Sequence, residues 1–180
     1  MQKKQVLGAF IIVTMVFSVV GLTFVGDTTA NRYNGYVFTQ TTRGWQVELY
    51  GKQQEYLFFP QNLEQIPLPD LASTLGSKKA IVVTYNPDSD IAETFADYQY
   101  TYEQQINPAI YIIRATTNQT TLPLYTCANA TDTMPVISFE EQENSSITQI
   151  GNCLVVAAFD AYGFAQEAER LLYAVNGVMQ

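Results

Sequence analysis

The pattern of apolar and polar positions changes character once along the chain. Val6 to Val25 form a run of twenty residues without a charge. A helix of that length spans roughly 30 Å, the thickness of a bilayer's hydrocarbon core. Beyond it come short alternating segments. In WQVELY (45–50), Trp45, Val47 and Leu49 alternate with Gln46, Glu48 and Tyr50, the period of a strand with one buried face. Together with YVFTQTT (36–42) and EYLFFP (55–60), this segment predicts a β-meander, turned at Arg43-Gly44 and Gly51-Lys52.

The stretch QNLEQIPLPDLASTLG holds short helical turns interrupted by Pro67 and Pro69. KAIVVTY (79–85) predicts a buried strand, Asn86-Pro87-Asp88-Ser89 a turn, and Asp90 to Ile106 a helix. Ile91, Phe95, Tyr98, Tyr102 and Ile106 line one face of that helix. AIYIIRA (109–115) is a second strand, so strand, helix and strand form a βαβ unit. After a Pro- and Thr-rich connection, PVISFEE (135–141), SSITQI (145–150) and NCLVVAAF (152–159) read as strands. Asp160 is placed to cap a closing helix with Ala161, Phe164, Ala168, Leu171, Leu172, Val175 and Val178 on its inner side. The expected fold is α+β, with a meander, one βαβ unit and a C-terminal helix completing a single domain. That domain, residues 36–180, would hold one mixed sheet covered by at least two helices. It would follow a transmembrane helix (1–26) and a linker (27–35).

The apolar run admits three readings. A secretory h-region is only about 7–15 residues long, and the best cleavage site, Thr28-Thr29-Ala30, lies beyond the run. Lys3-Lys4-Gln5 ahead of the run faintly resembles the processing site of archaeal type IV pilins. Such sites carry Gly or Ala before the cut, which is missing here, and Gly26 to Gly35 is rich in turn residues that would stop a pilin helix. Length favours a permanent anchor. Lys3 and Lys4 precede it and Asp27 follows, so the positive-inside rule places the N-terminus in the cytoplasm and the main domain outside.

Charge and cysteines fit that address. Residues 27–180 carry 7 basic and 17 acidic side chains, a net charge of −10, a surface that repels nucleic acid and anionic headgroups. The only cysteines, Cys127 and Cys153, match no zinc or CxxC spacing. Outside the cytoplasm they are expected to pair. Asn118, Asn129 and Asn144 each open an Asn-x-Ser/Thr sequon, consistent with a glycosylated face or with ordinary polar loops.

Chemistry is narrowed by elimination. The chain has no histidine, so a Ser-His-Asp triad, a Cys-His dyad and histidine metal sites are impossible. It has no phosphate-binding glycine loop, so no nucleotide or other cofactor is expected. Ser77 beside Lys78-Lys79 reads as a solvated turn. Carboxylates remain. Glu140, Glu141 and Glu143 read as a polar hairpin tip, although a glycosidase would need two facing acids. Asn86-Pro87-Asp88-Ser89-Asp90 begins like a calcium loop but has Ile91 at the glycine position and Asp97 at the last. Asp90 with Glu93 is read instead as a capping-box-like helix start. No catalytic or metal-binding residue is assigned. No buried carboxylate is expected to face a second polar group in a cleft. Trp45 and Phe59 are expected in the core, and Tyr50 and Tyr100 on the surface as partner contacts.

The stretch CANATDTMPVISFEEQENSSITQIGNCLVVAAFD, followed by AERLLYAVNGV, resembles a group of uncharacterised small single-pass membrane proteins of archaeal genomes. The resemblance implies a retained anchor and paired cysteines, and carries over no activity. The expected role is a membrane-anchored domain of the cell envelope that binds or assembles with envelope proteins or glycans without catalysis. A pilin-like subunit and a carboxylate-dependent polysaccharide hydrolase are the alternatives.

Overall fold

A computed structural model describes residues 30–118 and 120–179. The apolar run lies outside them, and among the described residues no helix is long and apolar enough to cross a membrane. The described residues begin with strand β1 (Ala30–Tyr33), β2 (Tyr36–Gln40), β3 (Trp45–Leu49) and β4 (Lys52–Tyr56), paired antiparallel in sequence order. Asn31-Arg32-Tyr33, expected as linker, is therefore part of the sheet. Tyr33 pairs with Tyr36 across Asn34-Gly35, both at positive φ. Asn-Gly is the pair that closes a two-residue hairpin most readily, because both residues tolerate that backbone.

The fourth strand was expected over 55–60, but it starts and ends earlier. Tyr50-Gly51 makes the turn, and Lys52 already pairs with Leu49. Past Tyr56 the backbone N–H groups of Leu57 and Phe58 donate to the Glu169 carboxylate at 2.8 and 3.0 Å. A side chain has replaced the neighbouring strand, so pairing stops there. Pro60–Leu63 then forms a 3-10 turn.

Helix α1 (Asp70–Leu75) leads to β5 (Ala80–Tyr85), α2 (Ala92–Gln105) and β6 (Tyr111–Thr116). The remaining elements are β7 (Val136–Glu141), β8 (Ser146–Ile150), β9 (Cys153–Ala158) and α3 (Ala161–Val175). The last five strands form a second sheet, ordered β6-β5-β7-β9-β8, parallel except for β8. The βαβ unit is present as β5-α2-β6, and the fold is α+β. The meander does not extend a single mixed sheet. It makes a sheet of its own.

α3 explains why two sheets form. Its residues from Phe164 to Tyr173 are buried apart from Gln166, including Glu167, Glu169 and Arg170. One side packs on the mixed sheet, with Phe164 against Phe139 at 4.9 Å between ring centroids. The other meets the meander, where Tyr173 stacks on Tyr56 at 4.1 Å and meets Phe38 edge-on at 6.0 Å. A helix apolar on nearly every side is a buried helix, and each sheet buries one face against it. Phe59 belongs to this core, and Trp45 packs on it at 4.7 Å. As expected, Asp160 caps α3, accepting from Gly163 N at 2.7 Å.

α2 contacts both α3 and the mixed sheet, so the helices share one face of that sheet. The opposite face, Val82, Ala115, Val136, Cys153, Val155 and Ala157, is covered by the connection between β6 and β7 through Tyr125, Cys127, Ala130 and Met134. Among its described residues that connection holds one 3-10 turn, Cys127–Asn129. It is fastened by the Cys127–Cys153 disulfide, whose Cα atoms are 5.2 Å apart. Thr84 Oγ1 donating to Tyr125 O at 2.9 Å and the Lys78–Asp132 ion pair at 2.8 Å fasten it further.

The bridge closes a loop of sequence separation 26. Replacing both cysteines with alanine should therefore lower the unfolding free energy by roughly 2–4 kcal/mol. Urea titration of the double variant measures this. Wild-type protein denatured without reductant should also show no titratable thiol, and an unchanged urea midpoint would contradict the role given to the bridge.

Candidate functional site

The order β6-β5-β7 contains a reversal. The chain leaves β5 through α2 towards β6 on one side, whereas β7 adjoins β5 on the other and leads away to β8 and β9. Neighbouring connections that depart in opposite directions leave a crevice at the carboxyl ends of the strands, the usual place for a ligand in open parallel sheets. A crevice of about 800 Å³ lies there. Asp88 and Ser89 follow β5, Thr117 follows β6, Glu140 and Glu141 end β7 with Gln142 and Glu143 after them, and Phe159 follows β9. Cys127 and Ala128 of the fastened connection form part of its wall.

The glutamates expected at a hairpin tip stand instead at this parallel strand end. Successive residues of a strand face opposite ways, and Glu140 and Glu141 separate accordingly. Glu140 shares the side of Ser138, whose hydroxyl donates to it at 3.1 Å, and Gln142 Nε2 donates at 3.0 Å. Glu141 turns to the start of α2 and accepts from Ser89 Oγ at 2.5 Å and Asp90 N at 2.9 Å.

This second set of bonds overturns the expected capping box. Asp90 does not cap α2, which begins at Ala92 after Ile91 without a side-chain cap. The segment before it is an Asx turn, with Asp88 N donating to Asn86 Oδ1 at 3.1 Å, and a carboxylate from another strand takes up its free N–H. Among the described residues, no group of three or more His, Cys, Asp or Glu side chains is arranged to hold a metal ion.

The sequons lie in three settings. The Asn118 side chain donates to Asp88 Oδ2 at 2.6 Å, beside the crevice. Asn129 closes the capping box of the 3-10 turn with Thr126. Asn144 is exposed in the β7–β8 connection, next to Glu143 on the crevice rim. Tyr50 and Tyr100 are exposed, as expected. Tyr50 OH also donates to Asn176 O at 3.2 Å, which ties that turn to the end of α3.

The expectation of no buried carboxylate beside a polar partner fails at Glu169. It is buried in α3 at the back of a hollow of about 340 Å³ that Arg43, Glu55, Leu57, Asp97 and Tyr98 also line. Tyr98 OH donates to Oε1 at 3.4 Å, and Leu57 N and Phe58 N donate to Oε1 and Oε2. Burial pushes its pKa up to about 7, against the opposing pull of those donors. Glu167 is raised to about 7 as well, by burial, and its Oε2 has no hydrogen-bond partner. A signal for both existed in the sequence. The polar residues of AYGFAQEAERLLYAV are hemmed by apolar ones on every side of the helix, so they had to be buried with it. With its oxygens occupied by backbone donors, Glu169 serves to hold the 57–58 segment in place.

No known protein-family model matches the chain, and no curated protein or solved structure matches it.

The raised values have a consequence for pH. An unfolded glutamate titrates near 4.3, so between about pH 4.5 and 7 the folded state holds the extra protons. The stabilisation is complete below the unfolded value and is lost as pH rises through about 7. Glu169→Gln leaves one backbone N–H without its acceptor and should cost about 1–3 kcal/mol. The gap between wild type and variant should be wider at the acid end of that window than above it, as measured by urea midpoints across the range. A gap that widened with rising pH would refute the assignment.

Proposed function

We propose that this chain is a membrane-tethered domain of the cell envelope that binds an envelope glycan at the crevice on the carboxyl ends of its parallel strands. Val6 to Val25 is the tether, with the N-terminus in the cytoplasm and residues 30–179 outside. The observation that carries the reading is the position and lining of the crevice. It sits at the strand-order reversal, and Asp88, Ser89, Glu140, Glu141 and Gln142 offer acceptors and donors beside the exposed ring of Phe159. Carboxylates accept from sugar hydroxyls, and a ring face packs on the apolar side of a sugar. The acidic lining favours a neutral or basic polymer over an acidic one.

Two observations support the address and the non-catalytic role. A disulfide holds the wall of the crevice, which suits an oxidising compartment. Glu140 and Glu141 are drawn to opposite sides of the sheet by separate donors, which favours holding a polymer over the facing acids of a hydrolase. Asn144, exposed on the rim, is the sequon best presented for a glycan.

Binding of neutral envelope polysaccharide to the full chain in detergent, followed by calorimetry, tests the reading. Phe159→Ala and Glu143→Gln should each weaken binding about tenfold, or about 1.4 kcal/mol, with the circular dichroism spectrum unchanged. Protease treatment of intact cells with carbonate extraction tests the topology: residues 30–179 should be cleavable from outside and stay with the membrane. A chain released by carbonate, or equal affinity in all variants, would refute the proposal.

A further inference from the structure

One end of the meander carries apolar side chains that the fold holds outward rather than inward. Ala30 pairs with Thr39, Thr39 with Gln46 and Gln46 with Glu55, so the chain enters β1 at the end where β2, β3 and β4 meet the 41–44 turn and Leu57. The turn is pressed against that corner. A side chain at Gly44 (φ +148) would collide with the carbonyl oxygen of Tyr56 and lie 3.0 Å from Leu57 Cα. At this corner Leu57 is 53% exposed, although both its own N–H and that of Phe58 are clamped by Glu169 and Phe58 O accepts from Tyr173 OH at 2.9 Å. Phe58, half-buried against the core, meets Tyr162, 66% exposed, edge-on at 5.4 Å. A loosely held loop could fold such side chains away, whereas a backbone fixed by three hydrogen bonds to α3 side chains cannot.

We infer that this end of the meander, Leu57, Phe58 and Tyr162 with Arg43 beside them, docks on the lipid surface of the membrane that the tether enters. The inference rests on the anchor reading of Val6 to Val25. Only residues 26–29 separate that run from Ala30, and four residues reach at most about 14 Å. The end of the sheet nearest Ala30 is therefore kept close to the headgroups, at a high effective concentration. Leucine and aromatic side chains suit the boundary between headgroups and acyl chains. Arg43 can lay its stem along the apolar surface and reach a phosphate. Glu55 and Asp97 line the same hollow as Arg43, and the domain is acidic overall, so the surface fits a neutral, zwitterionic bilayer rather than an anionic one.

Trp45 is the only tryptophan of the chain and opens β3 at this same end, paired with Tyr56. The full chain reconstituted in phosphatidylcholine vesicles, with and without lipid brominated near the headgroup, reads its distance from the bilayer. The expected result is loss of most Trp45 emission to the brominated lipid, recovered in Leu57→Asp and in Tyr162→Asp, each checked for folding by near-ultraviolet circular dichroism. Leu57→Ser serves if the aspartate variants misfold. Lengthening the tether with a Gly-Ser insert between Thr28 and Thr29 should leave the quenching in place, because the surface and not the tether holds the domain down. Quenching that disappears with the longer tether overturns the inference. If the chain fails to float with the vesicles, the anchor reading falls and takes the docking with it. If it floats and Trp45 stays bright, docking alone is wrong.

Discussion

The structure depends on the burial of one helix between two sheets. α3 offers an apolar surface in nearly every direction, and without it the two sheets would lose the layer they share. Burial on all sides removes water from every polar group on the helix and its neighbours, and buried polar groups must find partners inside the protein. The bonds around α3 follow from that demand. Glu169 accepts from Leu57, Phe58 and Tyr98, Tyr102 OH reaches Ala168 O at 2.7 Å, and Asn176 Nδ2 reaches Gln105 O at 3.0 Å. They join the meander, α2 and α3 into one packed unit. Gln99 extends the same logic to the mixed sheet, its amide donating to Val83 O at 2.7 Å and Ala115 O at 2.8 Å, across two adjacent strands.

This arrangement shows what could be read from the sequence and what could not. Strands with their own periodicity were legible: β3 from its alternation, and β5 and β9 from largely apolar runs that match burial on both faces. The cap at Asp160 was legible because its bond is local. Features set by distant partners were not. EYLFFP reads as a strand by composition, yet its backbone is claimed by a carboxylate 112 residues away at Leu57. Asp90 and Glu93 have capping-box spacing, yet the Glu141 carboxylate takes the N–H of Asp90, and the helix starts later. Asn31 to Gly35 look like linker because Asn and Gly favour turns, and the turn they make is a hairpin within the sheet.

The candidate site was legible only in pieces. Asp88, Glu140, Glu141 and Glu143 were each noticed, but as parts of two unrelated turns. Their convergence comes from strand order, which places β7 beside β5 although β6 intervenes in sequence. Sequence alone does not specify that order. The cysteine pair was readable from compartment logic, while its position on the wall of the crevice depends on how the 117–135 connection crosses the sheet.

The position of α3 in the sequence bears on how the chain acquires its fold. Both sheets are made of residues that precede the helix they pack against, so a growing or translocating chain can pair every strand and still lack the layer between the sheets. Until residues 161–175 arrive, α2 covers only part of one face of the mixed sheet, the meander lacks the helix it packs on, and the donors at Leu57 and Phe58 lack the Glu169 carboxylate. The two sheets are therefore joined into one core only when α3 is in place. A nascent chain stalled before α3 exposes the kind of apolar surface that chaperones bind.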